Sequence, residues 1–104
     1  MLTYVELANA YRDDPREIPT APVNGIAPKW FYVYEDRGTI YVASGKTHDN
    51  VCSICPDRRL KPAEMPVMLE LYHSRLKGES IWREAGTQSI NASYWFGIFR
   101  DLNL

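Results

Sequence analysis

Apolar positions recur along this chain with two different periods, and the periods divide it into elements. Met65, Met68, Leu69, Tyr72 and Leu76 fall on one face of a 3.6-residue repeat, with Glu70, His73, Ser74 and Lys77 away from that stripe. The pattern predicts a helix. Pro66 suits its first turn, where a missing N–H costs nothing, and Pro62 belongs to a preceding turn. Gly78 can take the left-handed conformation that ends a helix, and Arg75 and Lys77 suit the negative end of its dipole.

Ser80 offers a cap to a second, shorter helix that opens at Ile81 and ends near Gly86. Thr87, Gln88 and Ser89 read as a polar turn, and Asn91 caps a third helix running towards Leu102. In that helix Tyr94, Trp95, Ile98, Phe99 and Leu102 share one face, while Ser93, Gly97 and Arg100 share the other. Residues Lys61 to Leu104 therefore read as three consecutive helices.

The first half of the chain changes period. Thr3 caps a short helix whose apolar face is Tyr4, Leu7, Ala8 and Tyr11, and Asp13, Asp14 and Pro15 stop it. Between Asp13 and Lys29 stand Pro15, Pro19, Pro22 and Pro28, with Asn24-Gly25 as a turn signal, so this stretch reads as an irregular arm. Trp30 to Glu35 alternates as a strand, apolar or aromatic on both faces, which predicts cover on both sides. Asp36-Arg37-Gly38 is a hairpin turn, Thr39 to Ser44 returns as a second strand, and Val51 to Cys55 reads as a third. The expected fold is α+β: an N-terminal helix, a three-stranded antiparallel meander, then the three-helix unit packed on one face. Length fits one domain, with residues 1–56 holding the helix, arm and meander and 57–104 the helical unit.

The second and third helices carry helix-turn-helix-like spacing. Ile81, Ala85, Ile90, Trp95 and Ile98 fill the apolar and small positions that such a unit needs. Asn91, Ala92, Ser93, Phe96, Gly97 and Arg100 would then face outwards, where base edges are read. Two features weigh against it: Ser89 stands where glycine is common in the turn, and the outward face carries a single cation. The plainer reading is a helical packing unit with no partner in its groove.

Charge changes this picture only a little. A net charge of −1 gives no strong electrostatic grip on nucleic acid. Residues up to Pro56 balance to −2 and those from Asp57 onward to +1, with Arg58, Arg59 and Lys61 as the one basic cluster. If the unit binds double-stranded DNA, Arg58, Arg59 and Lys61 would meet phosphate, and Gln88, Asn91, Ser93 and Arg100 would lie near bases. Thirteen aromatic residues are more than so small a core needs, which points to an interface. Phe96, off the apolar stripe of its helix, and Tyr4 and Tyr11 at the start of the chain are the candidate contacts of a homodimer.

Enzymatic and metal signatures are weak. Ser44-Gly45-Lys46-Thr47 resembles the tail of a phosphate-binding loop, but Ile40 stands where the first glycine belongs and a strand, not a helix, follows. Cys52 and Cys55 form a lone CxxC; on a strand they point to opposite faces, so small buried hydrophobes are the expected role and no metal or cofactor is expected. His48 beside Asp49 is a hydrated turn, because neighbouring side chains point apart, and no catalytic residue is assigned. No apolar run approaches a membrane span, no signal-peptide pattern opens the chain, and two cysteines define no disulfide scaffold, so the expected location is the cytoplasm. Three functions follow as expectations: a small non-enzymatic DNA-binding or regulatory protein first, then a homo-oligomeric interaction module, then a small-ligand binder with an aromatic pocket between sheet and helices.

Overall fold

A computed structural model of the chain describes residues 3–21, 27–78 and 91–104. Helix α1 (Tyr4–Asp13) is followed by strands β1 (Arg16–Pro19), β2 (Trp30–Asp36), β3 (Thr39–Ser44) and β4 (Arg58–Leu60). A 3-10 turn (Pro62–Glu64) leads into α2 (Met65–Leu76), and α3 (Ala92–Asp101) follows. The fold is mixed helix and sheet, as the periodicity predicts, but the sheet has four antiparallel strands in the order β1-β2-β3-β4.

Local chemistry accounts for most of the boundaries. Thr3 caps α1, its side chain accepting from the Glu6 N–H. The β2–β3 hairpin closes through Arg37 and Gly38, both at positive φ, the turn whose twist matches paired strands. Gly78 ends α2 at φ +89°. Asn91 does occupy the cap position of α3, but its side chain caps nothing; Arg58 Nη1 donates to its Oδ1 at 3.3 Å instead.

Two strands differ from the sequence expectation. The arm contributes β1, because Arg16 to Pro19 pairs with Val33 to Trp30; as an edge strand it tolerates a proline at its end. Val51 to Cys55 is not a strand: only Val51 bridges to Trp30, and the polar Arg58–Leu60 pairs with Ile40–Val42 instead.

Strand alternation sorts the sheet into two unlike faces. Ile18, Phe31, Val33, Ile40, Val42 and Leu60 point inwards and are essentially inaccessible. Leu7, Ala8 and Tyr11 of α1 pack on this face, and α3 lies beside them against β1. Helix α2 covers the far side of α3, with Tyr72 within 5.8 Å of the Phe96 ring and 5.5 Å of the Phe99 ring. Wedged between sheet and helix, α3 is buried nearly all round: Trp95, Phe96, Gly97, Ile98 and Phe99 are all inside. Of the expected polar face of α3, Gly97 is buried, Ser93 half-buried and Arg100 exposed. Gly97 lies where an added Cβ would stand 2.7 Å from Pro19 O and 3.2 Å from the Phe31 ring, so only glycine permits the approach.

Among the described residues no helix packs on the opposite face of the sheet. Trp30, Tyr32, Tyr34, Tyr41 and Ala43 alternate onto it and are half-buried, not covered on both sides as the strand pattern suggested. Among the described residues the chain between β3 and β4 folds back along its margin.

Candidate functional site

That returning segment turns part of the open face into a cleft. Gly45 passes directly over Trp30: an added Cβ would lie 2.6 Å from Trp30 O, so glycine alone fits. Beyond it, Trp30 N–H donates to Asn50 O and Cys52 N–H to Trp30 O, both at 2.8 Å, and Gly45 N–H donates to Cys52 O. The Ser44 hydroxyl ties the far end, donating to Ile54 O and accepting from Ile54 N–H.

Glu17 holds the tip of the segment. Its carboxylate accepts from the Lys46 and Thr47 N–H groups, each at 2.9 Å, and pairs with His48 Nδ1 at 2.8 Å. The contact with His48 and these backbone donors pull the Glu17 carboxyl down to about 2. His48 in turn lies flat on Trp30, ring centres 3.6 Å apart and planes within 1°. The hydrated turn expected at His48 and Asp49 is thus a docked one, and the consecutive N–H groups of the phosphate-loop-like sequence serve an internal carboxylate.

The resulting cleft has a volume of about 530 Å³. Tyr32, Tyr34 and Ala43 form its floor, Glu17 and Lys46 one wall, and Ile54, Cys55 and Asp57 the other. The floor is ordered. Tyr34 stacks on Tyr41 across the β2–β3 pair at 5.4 Å and donates to Asp57 Oδ2 at 2.5 Å. That bond, with burial, pushes the Tyr34 phenol up to about 12, so it is neutral at ordinary pH. Among the described lining residues of the cleft there is no histidine, and both carboxylates, Glu17 and Asp57, accept hydrogen bonds.

A second, larger groove of about 860 Å³ runs between the start of α1, one side of α2 and Leu104. Its floor is Tyr4, Met65 and Leu69, and its polar lining residues are Thr3 at the start of α1 and Glu70, His73, Ser74 and Lys77 along and just beyond α2.

The sequence-derived sites fare differently. Arg58 and Arg59 alternate to opposite sides of the sheet: Arg58 lies over the Tyr94 ring and on Asn91, while Arg59 is beside Tyr41 on the open face. Lys61 and Arg100 are exposed, Ser93 is half-buried with its carbonyl accepting from Ala21 N–H, and Asn91 is buried. These residues do not form one surface. Gln88, with the whole second helix from Ile81 to Gly86 and its turn, lies outside the described residues.

Two of the three candidate dimer contacts, Phe96 and Tyr11, belong to the interior. Phe96 is fully buried because α2 covers the side of α3 that a monomer was expected to expose. Tyr11 is buried beneath Arg16, and Tyr4 is half-buried, its hydroxyl donating to Leu60 O and accepting from Ile40 N–H where the β3–β4 ladder ends. Cys52 is half-buried, its thiol raised by burial, and Cys55 is exposed in the cleft wall, so the two are not a buried pair. Among the described residues no group of three or more His, Cys, Asp or Glu is placed to hold a metal. No described helix is long and apolar enough to cross a membrane.

Sequence reasoning missed Glu17, Lys46, Cys55 and Asp57 as neighbours. The signal available was the run of aromatics at alternate positions in β2, which had been assigned a cover it does not have. No protein-family model, curated protein or solved structure matches the chain.

Proposed function

We propose that this is a non-enzymatic small-ligand-binding protein whose site is the cleft on the open face of the sheet. One observation carries the reading: a concave, aromatic-floored space within the volume range of small-molecule sites, built on β1, β2 and β3 and closed by a segment that hydrogen bonds fix in place. A rigid strand floor with a docked rim is the arrangement in which a ligand loses least to reorganisation on binding. The aromatic pocket lies outside the sheet, not between sheet and helices. The DNA-binding reading loses its support because Phe96, Gly97 and Asn91, which were to meet a groove, are packed inside.

The test is a fragment screen by amide chemical shifts on the full chain. Small aromatic compounds should shift Tyr32, Ala43, Ser44 and Lys46 together and saturably. Shifts confined to α2 and Leu104 would move the site to the larger groove, and a shift of the α3 amides by duplex DNA would restore the first expectation.

A further inference from the structure

We infer that the cleft selects planar ligands carrying an anionic group, a carboxylate or similar oxyanion, with Lys46 as its counter-charge. The inference rests on the cleft being the ligand site, and it comes from which of its polar groups are already engaged. Most of the acceptors are engaged, Asp57 through one of its two oxygens. Glu17, its side chain only 8% exposed, receives two backbone N–H groups and pairs with His48, and Asp57 receives the Tyr34 hydroxyl. Ser44 is committed as both donor and acceptor to Ile54.

The donors are not. Lys46, a lining residue of the cleft, lends its backbone N–H to Glu17, but its ammonium makes no ion pair among the described residues. Tyr32, cross-strand from Ala43 and from Glu17, presents a hydroxyl with no hydrogen bond among the described residues. A ligand entering the cleft therefore meets donors that still lack acceptors and a flat aromatic floor. An aromatic or other planar body matches the floor, and an oxyanion matches the donors. A cation would find Asp57, one of whose oxygens already takes the Tyr34 hydroxyl, where an oxyanion finds both Lys46 and the Tyr32 hydroxyl.

The experiment uses three probes of one size and different charge: benzoate, benzyl alcohol and benzamidine. Each is titrated into the full chain and followed at the Tyr32, Ala43, Ser44 and Lys46 amides. Benzoate should bind tightest. K46Q, which keeps the backbone bond to Glu17, should weaken benzoate by roughly two- to fivefold, the size of an exposed ion pair, and leave benzyl alcohol unchanged. Raised salt should act on benzoate alone. Equal binding of all three at these amides would overturn the anion preference while leaving the cleft as the site. Tightest binding by benzamidine would overturn it in favour of Asp57. Failure of every probe to shift these amides in the millimolar range would overturn both the preference and the site.

Discussion

The phenol of Tyr11 donates a 2.8 Å hydrogen bond to the carboxylate of Asp101, joining the first helix to the last across ninety residues of chain. Arg16 reaches the same Asp101 oxygen from β1 at 2.5 Å and lies over the Tyr11 ring. Three elements thus meet at one carboxylate on the buried side of the sheet. Tyr11→Phe keeps the packing and removes the donor, and Arg16 keeps the charge paired. The unfolding free energy should fall by about 1–3 kcal/mol, as for a hydrogen bond to a charged group, measured by urea denaturation. A change within ~0.5 kcal/mol, which is ordinary for a surface position, would mean that the bond is not formed in solution.

The same residue predicts the behaviour in alkali. Burial, reinforced by the Asp101 charge, drives the Tyr11 phenol far above its ordinary value, and the bond to Asp57 raises Tyr34 to about 12. A group with a raised folded pKa adds stability that is complete below the unfolded value of about 10 and is lost as pH rises above it. Stability should therefore be flat from neutrality to about pH 9.5 and decline beyond it. Phenolate absorbance should show Tyr11 ionising only with unfolding. Titration of all tyrosines near pH 10 in the folded protein would contradict the burial.

Much of this fold is legible in the sequence where one residue decides the local geometry. Thr3, the Arg37-Gly38 turn, Pro66 and Gly78 mark boundaries that the structure keeps. Legibility fails where distant partners decide. Arg16 to Pro19 and Arg58 to Leu60 carry too many polar residues and a proline to read as strands, and they are strands because β2 and β3 offer edges. Val51 to Cys55 has the right composition and no edge to pair with beyond one bridge. The cleft was hidden for the same reason, since Glu17 meets Lys46 and Thr47 only through a register that the sequence does not state.

Helix α3 supplies a sharper test. Read as amphipathic, it would place Gly97 at the surface, where an alanine is favourable by roughly 1 kcal/mol. Buried against Pro19 O and Phe31, the same substitution meets backbone that cannot yield. Gly97→Ala should destabilise by about 1–3 kcal/mol, as overpacking does. A stabilised variant would turn the helix round.

Helix α2 distinguishes its own faces. Met68 is fully buried, Leu69 partly, and Leu76, expected on the same stripe, is 61% exposed because the chain turns away at its end. Met68→Ala should cost about 2–5 kcal/mol and Leu76→Ala less than ~0.5 kcal/mol. Equal losses would mean that the last turn of α2 is covered.

The last prediction concerns what keeps the cleft closed. Among the described residues Glu17 is the side chain that binds the tip of the 45–50 segment through its backbone, and it does so from β1, about thirty residues earlier in the chain. Both N–H groups donate to Oε2 and His48 pairs with Oε1, so a glutamine could keep the backbone bonds through its one oxygen, whereas an alanine removes every acceptor. Glu17→Ala should therefore release the tip without unfolding the sheet, whose pairing partner for residue 17, Tyr32, is held through the backbone. Amide exchange at Lys46 and Thr47 should speed up strongly while that of Phe31 and Val33 is unchanged, and Trp30 emission should shift as His48 leaves its ring. Acid should reproduce the effect with a definite sign. The Glu17 carboxyl is depressed, so its contribution is complete above the unfolded value near 4.3 and is lost as pH falls through about 2. Lys46 and Thr47 protection should thus persist at pH 4 and disappear only towards pH 2, provided the core amides still report a folded sheet. Loss of that protection already at pH 5 would show that the Glu17 carboxylate does not govern the closure.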